Sequence, residues 1–345
     1  MKVIVDDKIP YIRGQIERLA DEVCYLPGSS IGRDDVRDAD VLIVRTRTRC
    51  DRELLEGSSV RLIVTATIGF DHIDTAYCEA AGIQWTNCPG CNANSVCHYV
   101  HHALEAIGRL NPSYTIGIVG VGHVGSLVAA DLGACGMNVL LCDPPRQRAQ
   151  GEGQKAKGNG LTSQLSTFNF QLSTFVELST IQAEADIITF HTPLTKEGPY
   201  ATYHMADESF FHQLPHRPFI INASRGGVVD NEALLCALNE GLIADAVVDT
   251  WEGEPNINRE LLRRVAIATP HVAGYSADGK ANATRMSLEA VARFVGVDFV
   301  PQIVLPDAPC LSVETLLDDS RQLKQHPELF EDFRGNYPVR REGIL

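Results

Sequence analysis

Nine short runs rich in Val and Ile recur along the chain: "KVIVDD", "DVLIVR", "RLIVTATIG", "YTIGIVGVG", "MNVLLCDP", "DIITFHTP", "PFIINAS", "ADAVVDTW" and "VAIATPHV". Each ends in polar, Gly or Pro residues, and segments of helical period lie between most of them. Strands that are apolar without alternation must be covered on both faces, so the pattern predicts βαβ units and parallel sheets. At 345 residues the chain is too long for one small core and suggests two domains with room for an appendage. Residues 151–175 break the pattern. They have no sustained period and contain "QLSTF" twice, at 164 and 171, which reads as a low-complexity insertion in a surface loop.

Charge and cysteine content narrow the functional classes. A formal net charge of −14 argues against nucleic acid bound through the bulk surface, while leaving room for a local basic pocket. "MKVIVDDKIP" places Asp6 and Asp7 too early for a signal-peptide core, and no apolar run reaches membrane-spanning length. A cytoplasmic protein is therefore expected, with its ten cysteines reduced and mainly serving as small core residues.

"TIGIVGVGHVG" carries the first chemistry. Gly120, Gly122 and Gly125 form G-x-G-x-x-G between a strand and a helix, and a second strand ends at Asp143. Gly120 permits the tight turn, Gly122 lets the backbone approach a pyrophosphate, and Gly125 lets the helix pack on the sheet. The amides of His123 and Val124 would lie at the helix N-terminus, where an anion is favoured. Asp143 is placed for ribose hydroxyls and would repel a 2′-phosphate, so NAD is favoured over NADP. Arg146 and Arg148 nearby weaken that preference.

Three strand ends downstream supply candidate reactive groups. Arg225 in "INASRGGVVD" could clamp a carboxylate, or be a surface arginine paired with Asp230. "VVDTWEGEP" brings Asp249, Glu252 and Glu254, which could equally form a solvated acidic turn. His271 in "IATPHVAGYS" could move a proton or be a structural group. Strand carboxyl ends are where open α/β sheets bind ligands, and that shared location favours the functional readings. Upstream, "VLIVRTRTRC" sets Arg45, Arg47 and Arg49 at alternate positions after a strand, with Thr46 expected on the opposite face from the arginines. In an acidic chain this basic group asks for an anion, although a solvated strand edge would look the same. "CPGCNANSVCHYVHH" concentrates cysteine and histidine, but no second Cys pair follows at zinc-site spacing. It reads as a turn leading into a helix with Val96, Val100, Ala103, Leu104, Ile107 and Leu110 as its apolar stripe, and no metal is expected there.

"GVGHVG", "SRGGVVD", "VVDTWEGEP" and "TPHVAGYS", in this order, resemble the D-isomer-specific 2-hydroxyacid dehydrogenases. The resemblance covers the chain outside 151–175. It implies two Rossmann-like doubly wound domains: a discontinuous substrate domain at 1–94 and 274–296, and an NAD-binding domain at 95–273. It also implies that Arg225 binds the substrate carboxylate, His271 is the acid/base and Glu254 pairs with the histidine. Gly122, His123, Val124, Asp143, Thr192, Ala223, Arg225, Asp249 and Gly274 would contact NAD. "ELFEDFRGNYPVRRE" near the C-terminus resembles the members that oxidise 4-phospho-D-erythronate on the route to pyridoxal 5'-phosphate. That likeness implies Thr46, Thr67 and Tyr275 as substrate contacts, with Arg45 and Arg47 as candidates for the phosphate, and a short dimerisation module at 297–345 giving a homodimer. Members acting on other acids, such as 3-phosphoglycerate, and dinucleotide-sensing corepressors of the same fold remain the alternatives.

Overall fold

The computed structural model describes residues 1–151 and 175–343, so the "QLSTF" repeat lies outside the described residues except for Phe175. Every one of the nine apolar runs forms a strand, and all strand pairs are parallel. The first sheet comprises β1 (Lys2–Asp6), β2 (Glu22–Leu26), β3 (Val41–Val44), β4 (Leu62–Thr65) and β5 (Gln84–Thr86), in the order β2-β1-β3-β4-β5. The second comprises β6 (Thr115–Val119), β7 (Asn138–Cys142), β8 (Ile187–Phe190), β9 (Phe219–Asn222), β10 (Asp245–Val248) and β11 (Ile267–Ala268), in the order β11-β10-β9-β8-β6-β7. Beyond β7, Phe175 makes a single parallel bridge to Leu141. Counting that bridge as a minimal strand gives the 3-2-1-4-5-6 order of a dinucleotide-binding sheet, with β11 added as a seventh strand beyond β10.

The sequence reading missed β2 and β5, and both lie at sheet edges. Edge strands are covered less completely, so "EVCYL" and "QWT" retain polar positions that central strands exclude.

The chain divides into two compact units: Met1–Asn92 with Ser276–Ala308, and Ala93–Tyr275 with Pro309–Leu345. In the first, Leu288 and Val291 of the Ala277–Val295 helix bury completely against Val3, Val5, Val41 and Ile43 on one face of the sheet. Ile4, Leu42, Val44 and Ile63 pack on the other face. In the second, the Ala93–Ala106 and His123–Ala134 helices pack Tyr99, Leu104, Val128 and Leu132 against Ile116, Ile118 and Ile187. The opposite face buries Phe190, Phe210, Phe211, Ile220 and Leu234. The segment 297–345, expected to form a module of its own, is divided: 297–308 fall in the first unit and 309–345 in the second. Leu316 joins one core cluster of the second unit, and Leu323 and Phe330 join the other. These side chains are too few for a separate core, and the second sheet offers the apolar surface they need.

Candidate active site

In the second unit the order of strands reverses between β6 and β8, and the glycine-rich turn follows β6 at that switch point. Gly120 has φ of +89°, and a Cβ there would meet the His191 carbonyl oxygen at 2.7 Å. At Gly125 a Cβ would lie 2.0 Å from the Gly120 oxygen, so only glycine allows the helix to start this close to the strand. A Cβ on Gly122 would meet nothing within 4 Å, which leaves open space over the loop. Gly122 is the N-cap of the His123–Ala134 helix and offers no side-chain acceptor, so the first amides remain available to an anion. Burial first, and then the Arg146 charge, push the His123 imidazole pKa down and favour its neutral form. Thr192 Oγ1 is buried without a hydrogen-bond partner among the described residues, as expected of a group that contacts a ligand. These features fit a bound dinucleotide.

Asp143 is less free than its position in the sequence suggests. Its Oδ2 accepts from Val121 N at 2.9 Å and its Oδ1 from Arg146 N at 3.0 Å. The Arg146 guanidinium turns back onto the Val121 carbonyl oxygen, so this arginine touches the fingerprint loop itself.

The three downstream strand ends converge. Arg225 follows β9 and Ala223, and its loop is braced by Asn222, whose Nδ2 donates to the Arg225 oxygen at 3.1 Å. A Cβ on Gly226 would lie 2.0 Å from the Trp251 oxygen, so the arginine loop and the acidic turn after β10 are in backbone contact. His204 ties them again: Nε2 lies 2.7 Å from Glu252 Oε1 and Nδ1 lies 3.3 Å from Asp230 Oδ2. Asp230 also caps the Asn231–Glu240 helix. Glu252 and Asp230 are therefore structural ties in this arrangement, and Asp230 does not pair with Arg225 in the described structure.

His271 is half-buried and has φ of +58°, a conformation uncommon outside glycine and frequent at functional sites. Its Nδ1 lies 2.8 Å from Glu254 Oε2 and 3.0 Å from Oε1, which leaves Nε2 for chemistry. Burial alone would raise the pKa of Glu254. The His271 hydrogen bond and charge, the Trp251 amide and Arg334 outweigh it and hold the carboxyl below its usual value. Asp249 is fully buried and accepts from Thr269 Oγ1 at 2.6 Å, Val272 N at 2.8 Å and Ala273 N at 3.0 Å. Its carboxylate thus fastens the turn that carries His271, and burial raises its pKa despite those bonds.

Two residues of this site had no assigned role in the sequence reading. Arg334 Nη1 lies 3.4 Å from Glu254 Oε2. Arg340 is buried and donates to the carbonyl oxygens of Val272 at 3.0 Å, Ala273 at 2.9 Å and Tyr275 at 2.5 Å. Both lie in the C-terminal motif "FRGNYPVRRE", and the motif itself was the signal: it grips the histidine turn from behind.

In the first unit the switch point falls between β1 and β3, and Arg45 and Asp6 flank it. Their side chains form a two-point ion pair, with Nε to Oδ2 at 3.1 Å and Nη2 to Oδ1 at 3.2 Å. The expected alternation does not hold, because β3 ends at Val44 and residues 46–47 form a turn that exposes both Thr46 and Arg47. Arg49 pairs with Asp51 at 2.8 Å. Thr67 is half-buried and bonds to Thr65 Oγ1 at 2.7 Å and to the Gly69 oxygen at 2.8 Å. Cys88 and Cys91 are buried in the same unit, and Cys88 Sγ lies 3.2 Å from the Ala283 oxygen.

Comparison with known proteins agrees with this geometry. The family described as "D-isomer specific 2-hydroxyacid dehydrogenase, NAD binding domain" matches residues 99–273. Erythronate-4-phosphate dehydrogenase of Bacteroides thetaiotaomicron is 52% identical, over 99% of this chain and 97% of that protein. The Porphyromonas gingivalis protein of the same name is 41% identical, over 99% of this chain and 94% of that protein. Among solved structures, the D-lactate dehydrogenase of Aquifex aeolicus, complexed with NAD and lactic acid, shares the fold with a TM-score of 0.65 and 24% identity, over 86% of this chain and 96% of that one. The chain belongs to the D-isomer-specific 2-hydroxyacid dehydrogenases and holds its NAD-binding domain at residues 99–273.

Proposed function

We propose that the chain oxidises 4-phospho-D-erythronate to 3-hydroxy-2-oxo-4-phosphobutanoate with NAD, a step in pyridoxal 5'-phosphate biosynthesis. The observation that carries this reading is identity of 52% along almost the whole of an erythronate-4-phosphate dehydrogenase, including the C-terminal segment that supplies Arg334 and Arg340. NAD, when bound, would supply the acceptor for the hydride at C2. His271 Nε2 takes the hydroxyl proton as general base. Glu254 fixes the ring through Nδ1 and stabilises its charged form. Arg225 grips the substrate carboxylate and so sets which face of C2 meets the cofactor. Thr46, Thr67 and Tyr275 complete the substrate contacts in this reading. Arg45, which pairs with Asp6, and Arg47, exposed beside Thr46, are the candidates for the phosphate. The enzyme is further proposed to work as a cytoplasmic homodimer joined through its C-terminal segment.

The test is direct: purified protein is incubated with NAD and 4-phospho-D-erythronate, 3-phosphoglycerate or unphosphorylated D-erythronate, and NADH and the oxo acid are measured. Because free NAD is only one candidate acceptor, an external 2-oxo acid is included in parallel. Oxidation of 4-phospho-D-erythronate with at least tenfold higher kcat/KM than either other acid is expected. Preference for 3-phosphoglycerate would reassign the substrate.

A further inference from the structure

The dehydrogenase reading leaves unused one group of metal-ligating side chains on the helices of the second unit. A ring nitrogen of His101, a carboxylate oxygen of Asp131 and the sulfur of Cys135 lie within 4.8 Å of one another. His101 is on the Ala93–Ala106 helix; Asp131 and Cys135 are one turn apart at the C-terminal end of the His123–Ala134 helix. The His101 and Asp131 side chains are 17% and 10% exposed, so water reaches them but does not surround them. His101 Nδ1 and Asp131 Oδ2 are already 2.8 Å apart. Cys97, one turn before His101, is buried and has Asp131 and Cys135 as its electrostatic neighbours, placing another sulfur donor at the edge of the group.

We infer that His101, Asp131 and Cys135 form a binding site for a borderline-soft divalent cation of the zinc class. Mixed nitrogen, sulfur and oxygen donors select such an ion over magnesium or calcium. Closing the three donors onto an ion at 2.0–2.3 Å needs movements of only about 1 Å. Asp131 and a Cys135 thiolate neutralise the dication, and a helix C-terminus favours positive charge. Binding replaces the Cys135 S–H proton with the metal and releases that proton to solvent; nothing is oxidised. The ion would clasp the two helices together at the far end of the helix that begins at the dinucleotide loop. The other comparable group among the described residues, His204, Asp230 and Glu252, contains no sulfur, and both ring nitrogens of its histidine already face carboxylates. The proposal departs from the sequence expectation of no metal: the cysteines at 88 and 91 are not involved, and one histidine of the same stretch is.

Co(II) and Zn(II) are the probes. The full chain is first made with Cys236→Ser and Cys310→Ser, since these two thiols are exposed and could bind cobalt adventitiously. One equivalent of Co(II) should produce a thiolate-to-cobalt charge-transfer band in the near ultraviolet, and Zn(II) should abolish the band and raise the unfolding temperature. Adding Cys135→Ser should remove the band. Asp131→Asn, which preserves size, should raise the Co(II) Kd at least tenfold while the thermal transition of the metal-free protein stays cooperative. No saturable band in the parent, or a band unchanged in both variants, overturns the site. NAD binding is not a readout, so failure of the dehydrogenase reading would leave this result untouched.

Discussion

His271 combines a left-handed backbone with a carboxylate on Nδ1 and three donors to Asp249 around its turn, so its ring is held with one nitrogen free. Replacing it with asparagine keeps a polar group but removes the proton acceptor. His271→Asn should lower kcat by roughly 100-fold or more with the NAD Kd unchanged, as steady-state kinetics and cofactor titration would reveal. A second histidine offers a test in stability. His191 is partly buried with its Nδ1 shielded from solvent, and this burial pushes its pKa down from 6.5 to about 3. Between those values the unfolded chain binds the proton and the folded one does not, so stability rises with pH in that window. His191 thus imposes no penalty above pH 6.5, and stability should fall by about 1.4 kcal/mol per unit as pH drops from there toward 3. Denaturation series at pH 7, 6, 5 and 4 should slope less for His191→Gln than for the parent; parallel curves would refute the assignment. At this scale the pairing of Glu254 with His271 was legible because motif and strand end coincide. The pairing of Arg45 with Asp6 was not, because the two are 39 residues apart and meet only through adjacent strands.

Loops, more than strands, decide how the site is built. Gly226 is a point where two of them touch, and a methyl group there would collide with the Trp251 carbonyl oxygen. Gly226→Ala should lower kcat/KM at least tenfold and also lower the unfolding temperature, since the backbone must move to admit the methyl. Arg340 acts from the C-terminal segment on the opposite side of the histidine turn. Arg340→Met retains bulk and removes a donor from three carbonyl oxygens, although that of Val272 keeps the Tyr275 amide and that of Ala273 keeps Ser95 Oγ. A kcat reduced about tenfold or more, with a lower unfolding temperature, is the expected result. An unaltered kcat would make the motif purely a packing device. The central strands were readable from their uninterrupted Val and Ile, whereas the edge strands β2 and β5 were hidden by polar residues that their exposure tolerates. The grip of "PVRRE" on the turn could not be read by periodicity, because it consists of one guanidinium reaching carbonyls 65–68 residues away.

At the scale of the whole molecule, the discontinuous first unit was implied by family resemblance and not by any local signal. Composition cannot reveal that the Ala277–Val295 helix returns to cover the sheet formed by β1 to β5. Fragment 1–92 alone should therefore lack cooperative unfolding, while the same fragment linked to 276–308 by a short glycine-serine tether should regain it; circular dichroism against temperature distinguishes the two. The return of that helix also orders events in time. A ribosome delivers residues 1–92 first, and then the whole of 93–275 before Leu288 and Val291 emerge. Throughout that interval a nascent sheet presents Val3, Val5, Val41 and Ile43 with Ile9, Ile12 and Ile16 beside them but without the helix that completes their cover. Slow translation between those points would lengthen the exposure, so the yield of soluble protein should depend on codon choice and on chaperones that shield young chains, even though the finished molecule buries the same four side chains completely.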